Sequence, residues 1–188
     1  SVVPNVYKNV KESIKKKLRV EVKELKQFNL KKILKIEVNT KQVGSDRLAN
    51  AISVINNKDN FIILDFGTAT TFDVILNNKY KGGIIAPGVN LSLKTLIEKA
   101  KLIPNTKLTK IKNIIGKNTQ NAVRSGFYWG YQGLIENMIN LIEKKYKKKF
   151  KIIFTGGLSH LFKDTTKKKV RVDRDLTIKG LLRLVDLT

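Results

Sequence analysis

Asp65-Phe66-Gly67-Thr68-Ala69-Thr70-Thr71-Phe72-Asp73 is the stretch on which the fold and its use turn. The residues before it, Phe61 to Leu64, form an apolar run of buried-strand type, and Asp65 closes that run with a carboxylate. Gly67 and the hydroxyl residues after it form a turn into a second strand, Thr71 to Leu76. Such a turn offers backbone N–H groups and hydroxyls to an anion, while the carboxylate at its edge can hold a cation beside it. Phosphate handling is its natural use. The same residues also suit a hairpin rich in β-branched Thr, with Asp65 only capping the turn.

Working outward, Asn77-Asn78 reads as a tight turn and Tyr80 to Ile85 as a third strand, so the three strands make an antiparallel meander that Pro87-Gly88 ends. A helix is expected over Leu91 to Lys99. A long one should run from about Thr119 to Lys148, with Ala122, Ser125, Gly126, Gly130 and Gly133 on one small-residue face. Glycine costs a helix roughly 1 kcal/mol against Ala, so several on one face imply close approach of another backbone. Lys151 to Phe154 reads as a strand ending in Thr155-Gly156-Gly157, followed by a short helix, a strand near Val170 to Val172 and a last helix over Leu176 to Leu187. Toward the N-terminus, Val6, Val10, Ile14 and Leu18 recur every four residues as the stripe of an amphipathic helix. Phe28 to Thr40, where Leu34, Ile36 and Val38 alternate with polar residues, reads as extended. Gly44-Ser45-Asp46-Arg47 opens another helix, with Ser45 or Asp46 as its cap. Strands first, then helices alternating with strands, make a mixed α/β domain without an internal repeat.

Composition narrows the chemistry. The 188 residues hold no Cys and a single His, His160, which excludes disulfides, Cys-ligated zinc, a cysteine nucleophile and a multi-histidine metal site. No apolar run approaches the roughly 20 residues needed to cross a bilayer, so a soluble, cytoplasmic protein is expected. The net charge is +23, from 38 Lys and Arg against 15 Asp and Glu. An excess of that size raises nucleic-acid binding first. However, 32 of the basic residues are Lys, alongside 17 Asn and 21 Ile, and these three share A/T-rich codons, so nucleotide bias explains the pattern as well as a polyanion does. The runs at Lys15 to Lys17, Lys144 to Lys149 and Lys167 to Lys169 fall at helix ends or turns, where cations complement the macrodipole. His160, Trp129 and Met138 are assigned to packing or surface roles.

Two further segments carry candidate chemistry. Arg47 can clamp a carboxylate or phosphate with its fork, and Asp46 beside it can accept a proton from an alcohol, although Ser-Asp at a helix start also serves simply as a cap. Gly82-Gly83-Ile84-Ile85-Ala86-Pro87-Gly88 has glycines on both sides of a short apolar strand, suited to close approach of a ligand or to a strand bend.

The order and spacing of Gly44-Ser45-Asp46-Arg47, the Asp65 to Thr71 turn, Gly82 to Gly88, Gly116-Lys117-Asn118-Thr119 with Ala122, Ser125 and Gly126, Thr155-Gly156-Gly157 and Asp175-Leu176-Thr177 closely resemble the type III pantothenate kinases, also called the Bvg accessory factor family. Even Ser1-Val2-Val3-Pro4 is similar to a segment well inside family members, and the family's Asp-x-Gly-Asn-Thr first phosphate turn has no counterpart here. The resemblance therefore implies a chain lacking most of its first domain, inactive alone, with residues 1–43 a remnant of an N-terminal ribonuclease-H-like domain and residues 44–188 the C-terminal one. It implies an α/β, actin-like fold, shared with acetate and sugar kinases and heat-shock ATPases, and ATP-dependent phosphorylation of pantothenate in coenzyme A synthesis. By position, it makes Asp46 the catalytic base, Gly44, Ser45, Asp46, Arg47 and Thr119 the pantothenate contacts, and Asp65 the ligand of a monovalent cation, potassium or ammonium. Gly67, Thr68, Gly156 and Gly157 would lie at ATP, and Ser45 stands where Ala is commoner. Magnesium with ATP, a homodimer packed through Gly126, Gly130 and Gly133, and no specific nucleic acid or membrane partner complete the expectation. The alternative is a regulatory or nucleic-acid-associated protein, which would need none of the Asp46, Arg47, Asp65 and Thr119 set.

Overall fold

The computed structural model describes residues 4–187, so the first three residues of the Ser1-Val2-Val3-Pro4 segment, and Thr188, lie outside the described residues. The chain forms two compact units: Ser1–Asp59 with Ile75–Gly82 and Asp175–Thr188, and Asn60–Val74 with Gly83–Arg174.

In the first unit the amphipathic stripe forms helix α1, Pro4–Leu18, with Val6, Val10 and Leu18 all exposed. The extended reading of Phe28 to Thr40 is corrected. Single turns of 3-10 helix occupy Leu25–Gln27, Leu30–Lys32 and Thr40–Gln42, and only Lys35–Ile36 forms a strand, β1. Leu25, Leu30 and Leu34 are all buried, so these apolar side chains anchor successive turns and leave little for a strand to pair. β1 runs parallel to the start of β4 (Lys79–Pro87), Lys35 opposite Lys79 and Ile36 opposite Tyr80. Just beyond this pairing the Lys81 ammonium donates to Glu37, and that bond holds the Glu37 carboxyl below its ordinary range.

Helix α2, Ser45–Val54, is capped by Gly44, and neither Ser45 nor Asp46 is the cap; both lie in the first turn. Its Leu48, Ala49 and Ile52 are fully buried. The last helix, α6 (Leu176–Asp186), holds α2 by three means. Thr177 Oγ1 donates to the buried Asn50 Oδ1 at 2.7 Å, and Arg183 donates to the Ser53 carbonyl at 3.2 Å. At the crossing, a Cβ on Gly180 would lie 1.9 Å from the Ala49 carbonyl oxygen. Gly180→Ala inside a free helix would gain up to about 1 kcal/mol of propensity. Here overpacking against backbone, which costs about 1–3 kcal/mol, opposes and exceeds that gain. A lower urea midpoint is the expected result, and a raised one would mean that the crossing is loose.

The second unit is built on β2 (Phe61–Phe66), β3 (Ala69–Leu76), the latter part of β4, β5 (Lys151–Gly156) and β6 (Val170–Val172), in the order β4-β3-β2-β5-β6. Asn77 and Asn78, both with positive φ, make the two-residue hairpin turn between β3 and β4. β5 pairs parallel to β2 from Phe61 opposite Lys151 to Phe66 opposite Gly156, and β6 pairs parallel to β5. A meander with two parallel strands added on the far side of its first strand is the ribonuclease-H-like order. Ile62, Leu64 and Phe66, with Phe72, Val74, Ile152 and Phe154, present one face of the sheet to the core. Against it lie Tyr128, Ile135, Ile139 and Ile142 of α4 (Thr119–Tyr146) and Phe162 of the short α5 (Ser159–Phe162). Phe66 stacks on Phe162 at 5.3 Å and meets Phe154 edge-on at 5.2 Å. Burying each such side chain contributes about 1.5–3 kcal/mol, which makes this face the main support of the loops at the strand ends.

Helix α3, Val89–Lys99, begins at Gly88 and bears out the expected helix after Pro87-Gly88. The expectation of a backbone packed on the glycine face of α4 is not met within the chain: a Cβ on Gly126, Gly130 or Gly133 would meet nothing within 4 Å. Among the described residues no helix is long and apolar enough to cross a membrane.

Candidate functional site

The candidate residues fall into two groups, one in each unit. In the first unit, Gly44, Ser45, Asp46 and Arg47 form the entry to α2. Gly44 supplies the carbonyl that accepts from Leu48 N at 3.2 Å, and Asp46 Oδ1 accepts from the Arg47 backbone N–H at 2.9 Å. All four are half-buried. A carboxylate fixed by its neighbour's N–H keeps its second oxygen for an incoming hydroxyl, and a helix start with its open N–H groups suits an acidic small molecule.

In the second unit the groups gather at the C-terminal ends of β2 and β5. Asp65 lies opposite Thr155, and Gly156 follows opposite Phe66. Gly156 has φ of 83°, a left-handed conformation, and a Cβ there would sit 2.5 Å from Asp65 Oδ1 and 2.7 Å from Phe66 backbone atoms. A Cβ on Gly67 would be 3.6 Å from the same carboxylate oxygen. Two glycine turns thus close around one half-buried carboxylate. Ser159 Oγ donates to the Gly156 carbonyl at 2.8 Å and fixes the second turn, while Gly67 N–H bonds the Ala69 carbonyl at 3.1 Å in the first. Gly67, Thr68 and Gly157 are exposed.

Gly88, Thr71 and Thr155, which stand in the quoted motifs but outside the residues assigned to ATP, pantothenate or the cation, belong to this group. Gly88 is buried beneath the first turn, where its Cβ would lie 1.9 Å from the Thr68 carbonyl oxygen. Strand alternation puts Thr71 and Thr155 on the sheet face of Asp65, because Leu64, Phe72 and Phe154 point the other way into the core. Thr71 Oγ1 is buried with no hydrogen-bond partner in the chain, and Thr70 Oγ1 on the opposite face is likewise buried and unpaired. The signal for Gly88 was visible as Pro87-Gly88, but only the fold shows what it lies against.

Thr119 stands apart as the exposed first residue of α4, behind the Asn118 cap whose side chain accepts from Asn121 N at 2.9 Å. The segment leading to it is seated on the helix: a Cβ on Gly116 would be 2.2 Å from Ala122 N, and Ser125 Oγ donates to the Ile114 carbonyl. Among the described residues no group of His, Cys, Asp and Glu forms a cluster of metal-binding type.

A ribonuclease-H-like sheet order with a glycine and threonine turn beside a carboxylate is the arrangement expected of the actin-like class of proteins. Comparison with known proteins makes this specific. The model of the family described as type III pantothenate kinase matches residues 1–141. A type III pantothenate kinase of Pelagibacter ubique is 60% identical over 187 residues, covering 100% of this chain and 75% of that protein. Other members matched at more than 40% identity are spanned over little more than half their length. Among solved structures, one titled as a conserved putative Baf family transcriptional activator from Campylobacter jejuni matches with a TM-score of 0.64 at 21% identity, over 95% of this chain and 77% of that one. A putative 2-dehydro-3-deoxygalactonokinase of Sinorhizobium meliloti shares the fold at a TM-score of 0.52 and 9% identity, over 76% of this chain and 57% of that one. The chain belongs to the type III pantothenate kinase family, whose reaction is the ATP-dependent phosphorylation of pantothenate on the way to coenzyme A.

Proposed function

We propose that this chain supplies the base, the pantothenate contacts and one phosphate turn of that reaction, with residues 1–43 derived from the first ribonuclease-H-like domain and residues 44–188 forming the second. Asp46 accepts the proton of the pantothenate hydroxyl as that oxygen bonds to the γ-phosphorus and the bond from phosphorus to the β,γ-bridging oxygen breaks. Gly44, Ser45, Arg47 and Thr119 hold pantothenate, Arg47 through its fork toward the carboxylate. Gly67, Thr68, Gly156 and Gly157 contact ATP. Phosphoryl transfer needs alignment and charge stabilisation more than covalent help, and these residue types supply both.

The observation that supports the reading most is the closure of two glycine turns around Asp65 Oδ1. Carboxylate, hydroxyl and carbonyl oxygens are the donors a hard monovalent cation takes, and Thr71 adds a buried hydroxyl without a partner on the same face. Asp65 is the proposed ligand of potassium or ammonium, which supplies positive charge beside the phosphates; magnesium arrives with ATP. The protein works in the cytoplasm as a homodimer formed on the open α4 face around Gly130, and its Lys-rich surface serves no specific duplex.

In an enzyme that carries this chain together with the family's first phosphate turn, activity is expected to rise with potassium or ammonium over a large inert cation at equal ionic strength, and Asp65→Asn to abolish that response. Initial rates across the cation series test this. Indifference of the parent enzyme to the cation would remove the role of Asp65.

A further inference from the structure

The opposite end of the sheet holds a cavity of about 480 Å³ that the phosphotransfer reading does not use. It opens where β2, β5 and β6 begin, four to five residues back along β2 from Asp65 and Phe66, or roughly 13–17 Å at the usual rise. Its walls are mainly apolar: Phe61, Phe150, Ile152 and Val170. Lys149, Lys151, Lys168, Lys169 and Arg171 also line it, against one carboxylate, Glu143.

That carboxylate is already committed. Glu143 is 12% exposed and accepts from Lys168 Nζ at 2.5 Å and from the Phe150 backbone N–H at 3.4 Å, with Lys149 Nζ at 4.0 Å. It fastens the end of α4 to the loop beyond it and cannot also balance Lys169, just before the edge strand β6, and Arg171 on it. Arg171 stands 4.0 Å from Asp173, a loose pair with the guanidinium more than half exposed. The volume suits a small molecule, whose pockets usually span about 300–1,000 Å³ with apolar walls and a few oriented polar groups.

We propose that this cavity binds a compact amphipathic anion, its apolar body against Phe61, Phe150, Ile152 and Val170 and its acidic head at Lys169 and Arg171. Apolar burial supplies the affinity and the cationic edge selects the sign of the head group. A cationic amphiphile of the same length would meet like charge, and a bare anion would gain no apolar contact.

Calorimetric titration of monomeric decanoate tests the site, with decyltrimethylammonium and acetate as the opposite-charge and head-only arms. Saturable binding of one decanoate per chain is expected, with neither of the other two binding. Lys169→Glu combined with Arg171→Glu, both exposed positions, should weaken decanoate by about tenfold or more, about 1.4 kcal/mol. Val170→Trp should block it by filling the cavity, and the charge variants keep the test open if that variant does not fold. Equal binding of the cationic amphiphile, unchanged decanoate affinity in the charge variants, or no saturation would overturn the proposal. Sedimentation with anionic vesicles in the absence of monomer binding would also overturn it, by showing that the cations serve a surface and not a cavity.

Discussion

In an enzyme that carries this chain together with the family's first phosphate turn, Asp46→Asn is expected to slow pantothenate phosphorylation about 10²- to 10⁴-fold, the usual loss when a general base is removed. Asn keeps the size of the side chain and an oxygen that can accept from the Arg47 N–H, as Asp46 Oδ1 does at 2.9 Å. Local geometry at the α2 entry should therefore survive, and the lost property is proton acceptance. ATP affinity should change little, because the proposed nucleotide contacts are Gly67, Thr68, Gly156 and Gly157, and the substitution at Asp46 removes none of them. Steady-state rates beside nucleotide binding measured by calorimetry separate the two effects. Turnover within about twofold of the parent enzyme would end the assignment of Asp46 as base. A fall in ATP affinity matching the fall in rate would point instead to a damaged site.

Much of this arrangement was legible because it is local. The run Phe61 to Leu64 closed by Asp65, the asparagine turn at Asn77 and Asn78, and the glycine and proline at Pro87-Gly88 each have one conformation that suits their chemistry, and each adopts it. Failures arose where tertiary packing outvoted local pattern. The alternation of Leu34, Ile36 and Val38 suggests a strand, but the backbone pairing on β4 takes only Lys35 and Ile36, and Leu25, Leu30 and Leu34 bury as anchors of turns. Ser45 and Asp46 are good cap residues, yet the cap is Gly44 and the helix begins at Ser45, which places the Asp46 carboxylate inside the first turn. The glycines of α4 promised a close neighbour that this chain does not itself supply. The meeting of Asp65 with Gly156 depends on the parallel register of β2 on β5, two strands far apart in sequence, and no local pattern encodes that register.

Gly156→Ala should strongly damage the second unit, with Gly157→Ala as its control. At Gly156 two costs add. A residue with a Cβ held at φ of 83° sits in a left-handed region that penalises it by roughly 1–2 kcal/mol. The added methyl would also sit 2.5 Å from Asp65 Oδ1 and 2.7 Å from the Phe66 backbone, where overpacking costs about 1–3 kcal/mol. Together they reach about 2–5 kcal/mol, a large part of the roughly 5–15 kcal/mol that holds a domain folded. Relief by moving Phe66 is blocked by its contacts with Phe154 and Phe162, so the carboxylate is the part that yields. Displacing Asp65 removes the proposed cation ligand, so the variant should lose the response to potassium along with its stability. Gly157 lies one residue on with nothing within 4 Å of its added Cβ, and the change there should stay within about 0.5 kcal/mol. Thermal unfolding of the two variants, followed by rates with and without potassium on the folded fraction, distinguishes the outcomes. A Gly156→Ala protein as stable as the Gly157→Ala one, and still activated by potassium, would show that the two turns do not close on Asp65 as tightly as this geometry requires.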